Sequence, residues 1–438
     1  MSSGKTINIV TLGCAKNEVD TDNLKALLRK RGFEIGTDAS AADAVVVHTC
    51  SFIEAAKKES LDAIIQAARQ KNENAKLIVT GCMVQQHGKD MMAELPEVDA
   101  FLGTGQLSQV PDFLEKPRDR FLDRTNAGGL MDPGADIQRA VTGPMAYLRL
   151  SEGCSHPCSF CVIPKLRGGV QSRTEETILN EAKLLAEGGV EELVIIGQDT
   201  GEWGRDLFKE ERRLPSLLRK LRAIKGVRWI RLMYMHPHSF GDDVLEVLAE
   251  SPDVFTYLDM PLQHIDNTVL SNMKRHMNEA DTRRLIEKIR ARAPQLSLRT
   301  TYIVGFPEET DEQVQNLVNF VKEGHFDYLG AFTYSQEEGT PAGINEVQIP
   351  DSDKKARQEA VTDAHFDVAD AKGRARIGST ETVVIEGEEG DELLGRSRRE
   401  APEIDAIIRL PRLAARGGRF VKARLTAYDS YEFSADPA

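Results

Sequence analysis

The sequence predicts an α/β protein built in three parts. These are an amino-terminal doubly wound parallel-sheet domain, a central partial (β/α)6-type barrel and a carboxyl-terminal small antiparallel β-barrel. Three observations carry this. Apolar strand-like runs alternate with helix-period runs over residues 1–115, and again from residue 145. Residues 116–140 between them lack periodicity and carry Gly, Pro and Asp, as an interdomain linker does. From about residue 377 the texture changes to short β runs separated by Gly-bearing turns such as "RGG" (416–418).

In the first part, "INIVTLG" (7–13) reads as a buried strand, and 18–32 has helical spacing at Val19, Leu24, Leu27 and Leu28 with a Gly stop. "AVVVHT" (44–49) is the next strand, 53–70 the next helix, and "KLIVTG" (76–81) and "VDAFLG" (98–103) the third and fourth strands. In the second part, the strands are 146–151, 192–197, 229–234, 255–260, 297–304 and 328–335. Helices at 175–187, 213–224, 280–292 and 310–323 lie between them. Six strands with crossovers fall short of the eight of a closed barrel and leave an open side for a large substrate. A helix-like run at 354–373 leads to the terminal β runs. The expected domains are 1–118, a linker at 119–140, 141–376 and 377–438.

Composition narrows the function. Hydrophobic residues make up 41% of the 438 and charged ones 29%, which suits a globular enzyme with a core large enough to do without disulfides. The start of the chain does not read as a signal peptide, and no run approaches the length of a membrane span, so a cytoplasmic protein is expected. A net charge of −13 argues against a broad nucleic-acid footprint and fits a basic protein as partner. The terminal part, with 9 Lys/Arg against 12 Asp/Glu, is not basic either. There is no P-loop and no G-x-G-x-x-G.

All the chemistry gathers on six cysteines. Cys14, Cys50 and Cys82 each sit just past the carboxyl end of a predicted parallel strand, where open α/β sheets bind ligands. They are 36 and 32 residues apart, about one βα unit each, so one sheet edge can gather all three. Three buried core thiols are the plain alternative. Cys154, Cys158 and Cys161, spaced C-x3-C-x2-C, begin a loop after the first barrel strand. Three thiolates suit an iron–sulfur cluster with one iron left open for chemistry. Zinc needs a fourth ligand; His156 is near, but its place between the thiolates predicts a side chain that does not point inward with them.

"CSHPCSFC" (154–161) resembles the signature of radical S-adenosylmethionine enzymes, with Phe160 as its aromatic residue. The resemblance implies a partial (β/α)6 barrel and a four-iron cluster that chelates S-adenosylmethionine and cleaves it to a 5′-deoxyadenosyl radical. It covers nearly the whole chain. "TLGCAKNEVDTDN", "HTCSFIEAAKKES" and "GCMVQQH" look like the three cysteine motifs of the methylthiotransferase amino-terminal domain. There Cys14, Cys50 and Cys82 would hold a second 4Fe–4S cluster that carries the sulfur. "MHPHSF", "PLQHIDNTVLSNMKR" and "TTYIVGFPEET" are similar to the same family's radical domain, and the terminal barrel resembles a TRAM domain. One branch of the family modifies a tRNA adenosine. The other, RimO-type, methylthiolates the β-carbon of an aspartate in the twelfth small-subunit ribosomal protein. "GCAKN" (13–17) is closer to the second branch's GCPKN than to GCQMN, and "GRSRREAPEID" (395–405) resembles its GRS…APEID stretch. Ala15, Glu308 and Ala406 depart from the family's usual Pro, Gly and Gly, and Pro157 sits inside the cluster loop.

The implied cofactors are two 4Fe–4S clusters and S-adenosyl-L-methionine. The implied partners are the ribosomal protein, free or in the ribosome, an electron donor and an rRNA contact, with the chain a monomer and no membrane. Further cofactor-binding candidates are Gln198 and Asp199 (with Thr200) after the second barrel strand, Arg231 (with Tyr234 and His236) on the third, Gln263 and His264 after the fourth, and Arg299 and Gly305 on and after the fifth. Each has a structural alternative: loop capping for Asp199, a salt bridge for Arg231, a satisfied core group for His264. "RSRR" (396–399) is either a contact with RNA or acidic surfaces or a solvated edge. Two rivals stand beside the leading reading: the same chemistry on tRNA, and a zinc-bound RNA- or ribosome-binding factor without radical chemistry.

Overall fold

A computed structural model describes residues 4–116, 119–125, 139–141, 143–209, 211–412 and 419–438. The amino-terminal sheet contains β1 (Thr6–Thr11), β2 (Glu34–Gly36), β3 (Ala44–Thr49), β4 (Lys76–Gly81), β5 (Ala100–Leu102) and β6 (Phe121–Asp123). Their order is β2-β1-β3-β4-β5-β6 and every pairing is parallel. β3 is buried at all six residues, which is why its sequence is a continuous apolar run rather than an alternation. Val46 and Ile78 pack with Leu24, Leu28 and Phe113 on one face, while Val45, Val47 and Val79 pack with Ile64, Val84 and Met91 on the other. The sheet is therefore doubly wound. Phe121–Asp123, placed in the linker by the sequence, is instead the sheet's sixth strand. Three residues fall below the length at which period-2 alternation can be read. Residues 126–138 of the expected linker lie outside the described residues.

The central sheet adds β7 (Met145–Arg149), a short hairpin of β8 (Ser151–Glu152) and β9 (Gln171–Ser172), then β10 (Glu192–Ile196), β11 (Trp229–Leu232), β12 (Phe255–Asp259), β13 (Ser297–Val304) and β14 (Tyr328–Thr333). The order β14-β13-β12-β11-β10-β7 is all parallel, and β7 and β14 do not pair with each other, so the barrel is open along one side. Its outer face packs against helices such as Glu175–Glu187, Leu214–Arg222, Asp242–Glu250 and Asp311–Lys322. Their amphipathic spacing supplies Ile178, Leu217, Leu221, Val244, Leu248 and Leu317 to that core.

The carboxyl-terminal strands β15 (Thr380–Glu389), β16 (Glu392–Ser397), β17 (Ile407–Pro411), β18 (Phe420–Asp429) and β19 (Glu432–Pro437) close into a barrel of order β15-β16-β17-β19-β18. The expected antiparallel pattern holds for all pairs except β17 with β19, which is parallel. β19 turns back from β18 and closes the barrel alongside β17, running the same way. The "RGG" turn lies outside the described residues. One apolar cluster joins all three parts: Ala15 and Val19 from the first helix, Val194, Ile196, Met233 and Tyr257 from the barrel's inner face, and Val383, Ile408 and Phe433 from the terminal barrel.

Candidate functional site

The first three cysteines stand where their strands end. Cys14 is the N-cap of helix Ala15–Lys30, Cys50 follows β3, and Cys82 opens helix Cys82–Glu94. Adjacent parallel strands bring them to one edge. A Cβ added to Gly13 (φ +95°) would lie 2.7 Å from the Cys50 Cβ and 3.0 Å from its Sγ, so the turn before Cys14 runs directly against Cys50. Asn17 locks this turn by donating to the Leu12 carbonyl at 2.7 Å and to the Thr49 carbonyl at 3.2 Å. Cys50 and Cys82 are buried, Cys14 partly so, and all three are free thiols. Burial pushes the Cys50 thiol up to about 11 and raises Cys82 as well. A bound cation would reverse that and take all three as thiolates.

The second triplet lies on the loop after β8. The Cys154 N–H donates to the Gly168 carbonyl (3.1 Å) and the Cys161 N–H to the Cys158 carbonyl (3.2 Å). The loop is pinned by Ser159, whose N–H and hydroxyl bond the carbonyls of Met273 and Asn272 at 3.1 and 2.7 Å. Phe160 anchors it by packing against Val269, Met273, Phe306, Tyr334 and Ala342. Burial raises Cys154 and Cys161 to about 12 each. Arg275 donates to the Cys158 Sγ at 3.5 Å. Three free, partly buried thiols on one loop fit a cluster with one iron left open. His156 does not join them: its Nε2 meets Asp199 Oδ2 at 2.7 Å, and its ring stacks on His236 with centroids 4.0 Å apart.

The two triplets are neighbours. Helix Ile163–Arg167 follows Cys161 directly, and its Leu166 packs with Val162 and Cys82. Arg167, 3% exposed, donates to Cys82 Sγ (3.4 Å), Asn17 Oδ1 (2.7 Å) and Glu152 Oε1 (2.6 Å). Arg149, itself fully buried, binds Asp20 of the first helix and Glu152. This buried network of Asp20, Arg149, Glu152 and Arg167 seals the amino-terminal domain onto the barrel between the cysteine sites. Sequence reasoning missed all four residues. Arg275, and the buried Lys16 whose value burial lowers to about 8, were missed too. For all of these but Arg275, the available signal was position beside a cysteine motif: "GCAKNEVD", "LRLSEGC" and "CVIPKLRG".

The other predicted residues divide. Gln198 donates to Glu152 (2.8 Å) while its buried Oε1 is left without a partner, and Gln263 (φ +75°) also holds an unpartnered buried Oε1. These two retain acceptors for a ligand. Asp199 is a structural acceptor: it caps the turn at Thr200–Glu202 through the Gly201 N–H (2.9 Å) and takes the Ser239 hydroxyl (2.6 Å) beside His156. Thr200 bonds the Met233 carbonyl at 2.9 Å. His264 is fully buried, accepting from the Asp266 N–H (3.0 Å) and lying 3.4 Å from Glu309.

Arg231, considered for the cofactor carboxylate, is instead committed to Glu192 and to the carbonyls of Arg398 (3.0 Å) and Ser397 (3.2 Å), so it docks the terminal barrel. Arg299 lies between Asp259 (3.4 Å) and Asp405 (3.5 Å) in a second bridge to that barrel. Gly305 (φ +72°) does permit a close approach, but by Lys354, whose Cγ would stand 2.3 Å from an added Cβ. Of "RSRR", Arg396 is buried against Glu192 and Glu386, and Arg398 reaches Asp253 at 2.8 Å. Those two arginines form a domain interface rather than an RNA surface. Glu308, standing where the family motif carries Gly, adopts the left-handed φ of +65° that a glycine takes without cost.

Three family models match in succession: "Uncharacterized protein family UPF0004" over residues 6–103, "Radical SAM superfamily" over 148–321 and "TRAM domain" over 377–437. Curated proteins called "Ribosomal protein uS12 methylthiotransferase RimO" align along almost the entire chain. That of Desulfitobacterium hafniense (strain Y51) is 38% identical over 439 residues, covering 99% of this chain and 98% of its own length. That of Geobacter sulfurreducens is 40% identical over 444 residues, covering 99% and 98%. That of Caldanaerobacter subterraneus subsp. tengcongensis is 42% identical over 409 residues, covering 92% and 93%. Among solved structures, the radical S-adenosylmethionine methyltransferase TsrM of Kitasatospora setae, with tryptophan and a SAM analog bound, superposes with a TM-score of 0.57 at 15% identity. It covers 78% of this chain and 75% of its own, a likeness of fold.

Proposed function

The chain belongs to the RimO family of ribosomal protein uS12 methylthiotransferases, and from that membership we propose that it places a methylthio group on the β-carbon of an aspartate of uS12. The observation that supports this most strongly is the pairing of two three-cysteine sites across Arg167 within a chain that aligns end to end with these relatives. As a radical S-adenosylmethionine enzyme, the chain uses a 4Fe–4S cluster and S-adenosylmethionine. In this reading Cys154, Cys158 and Cys161 hold that cluster, and Cys14, Cys50 and Cys82 hold a second. When bound, these groups supply a carbon radical able to take hydrogen from an unactivated C–H bond, and the sulfur that replaces it.

The chain's own residues bind, orient and exclude. Arg275 and Arg167 each donate to a cysteine sulfur of one site, which offsets negative charge on a thiolate cluster. Phe160 and Ser159 fix the loop, while Gln198 and Gln263 offer carbonyl oxygens to the ammonium or hydroxyl groups of S-adenosylmethionine. The buried ion network between the domains excludes water from a radical's path. Residues 1–118 carry the auxiliary cluster in this reading, 141–376 the radical chemistry and 377–438 substrate recognition. The acidic chain attracts a basic ribosomal protein, an electron donor would serve the cluster that Cys154, Cys158 and Cys161 would hold, and rRNA contact accompanies action on the assembled ribosome. We place the enzyme in the cytoplasm as a monomer; no described helix is long and apolar enough to cross a membrane.

The test is anaerobic incubation of the reconstituted chain with S-adenosylmethionine, a reductant and purified uS12, followed by mass spectrometry of the protein. A gain of one CH2S on an aspartate-bearing peptide is expected. An unmodified uS12 beside a methylthiolated tRNA would move the function to the other branch.

A further inference from the structure

One buried cation in this seam makes no direct ion pair among the described residues. Lys16, in the first turn of helix Ala15–Lys30, is 6% exposed. Its ammonium lies 3.0 Å from the centroid of the Tyr234 ring and forms no ion pair or hydrogen bond with any described residue. Its surroundings are otherwise paired. Arg149 and Arg167 hold Asp20 and Glu152, and Asp259 is taken by Arg299 at 3.4 Å. A desolvated ammonium that meets a ring face, with Cys14, Glu152 and Asp259 acting on it only through space, costs stability, and a directly bonded ligand of opposite charge would offset that cost.

The backbone that carries this ring is fixed. Tyr234 has a left-handed φ of +58°, its N–H donates to Asp259 Oδ2 (3.1 Å) and its carbonyl accepts from the Thr200 N–H (3.2 Å). A cation over an aromatic face is attracted on that side only and keeps N–H donors for another partner. Tyr234 stands just beyond the carboxyl end of β11, on the barrel rim where ligands bind, and Lys16 is two residues from Cys14.

We propose that Lys16 binds the side-chain carboxylate of the substrate aspartate and so determines which residue is modified. The inference rests on the uS12 reading above and names the recognition element of that site. The chemistry makes the carboxylate the right handle. It is bonded directly to the β-carbon, so fixing it places the reacting carbon within one bond of a fixed point, beside the cysteine site that includes Cys14. An asparagine in the same place presents a neutral amide and leaves the buried ammonium unpaired, which is the kind of mismatch that discriminates strongly.

The test is equilibrium binding, read as fluorescence anisotropy, of labelled uS12 and of its form with the substrate aspartate changed to asparagine. The protein is the full-length, cluster-reconstituted chain. The wild type is expected to bind the aspartate form about tenfold more tightly or better, as a charge-assisted hydrogen bond gives. Lys16→Met, which keeps the unbranched stem and loses the charge, and Lys16→Gln, which keeps a polar head, should each bring the ratio to about one. Lys16→Arg should keep the preference. Iron per chain, measured on each variant, shows that the sites remain built. A wild-type preference persisting in either iron-replete neutral variant overturns the proposal. Equal wild-type affinity for the two forms overturns it as well. If uS12 still gains CH2S in that case, the family function stands and only the role of Lys16 falls.

Discussion

Replacing Arg167 with Met should loosen the seam between the amino-terminal domain and the barrel without unfolding either. The guanidinium is 3% exposed and serves Glu152, Asn17 and Cys82 at 2.6, 2.7 and 3.4 Å. Removing one partner of a buried pair costs about 3–5 kcal/mol, because the other charge is left behind. Here Glu152 would keep Arg149 at 3.1 Å and Gln198 at 2.8 Å, which puts the loss at the low end. About 3 kcal/mol corresponds to roughly a hundredfold in the equilibrium for opening the seam. Native-state hydrogen exchange reads that opening directly. Amides of helix Ala15–Lys30 and helix Ile163–Arg167 should exchange about a hundredfold faster, with those of β15 to β19 unchanged. Adding Glu152→Gln should recover part of the loss by removing the under-compensated charge. Exchange within about threefold of wild type in both helices would refute the claim that this ion network holds the domains together.

Other outcomes follow from single sites. Gly305→Ala should lower stability by about 1–3 kcal/mol, since φ is +72° and the new Cβ meets Lys354 side chain and backbone; the thermal midpoint checks this. Arg275→Met removes the donor to Cys158 and should shift the reduction potential of that site's cluster negative by on the order of tens of millivolts, read by electron paramagnetic resonance titration. Docking of the terminal barrel should depend on pH in two opposed ways. Burial alone would raise Glu192, but Arg231 and Arg396 outweigh it and hold it below the ordinary 4.5, so its contribution is complete above 4.5 and is lost as pH falls through its folded value. Burial raises Asp405 from 3.8 to about 6, so its contribution is complete below 3.8 and is lost as pH rises through 6. Thermal midpoints from pH 4 to 8 should therefore fall between about pH 4 and 6 in wild type, level off above that, and lose that fall in Asp405→Asn.

What the sequence made legible was whatever runs long enough to show a period. β3, β4, β10 and β13 run five to eight residues around an apolar or β-branched stretch and emerged with their ends nearly right. β2 and β6, at three residues each, carried no readable pattern. β19 has no readable hairpin signal, because its turn uses Ser430 and Tyr431, both at positive φ, where Asn-Gly is the usual signal. Helix Cys82–Glu94 escaped because it leaves helical geometry at His87 and contains Gly88. The six cysteines were visible through spacing alone. The residues that join their two sites were not, because Arg149 reaches Asp20 across 129 positions and Arg167 reaches Asn17 across 150. Such pairs have no local signature; an arginine on an inward strand position reads equally well as a cofactor ligand, as Arg231 did. Its true partner, Glu192, lies on the neighbouring strand, and only the docked terminal barrel shows why both are buried.

The central claim is that this chain holds two separate three-cysteine cluster sites side by side. Iron and acid-labile sulfide per chain test it most directly, on the anaerobically reconstituted wild type and on the variant with Cys154, Cys158 and Cys161 all changed to Ala. About eight of each in wild type and about four in the folded variant are expected. Loss of nearly all iron from a folded variant, or stoichiometric zinc with little iron in the wild type, would contradict it.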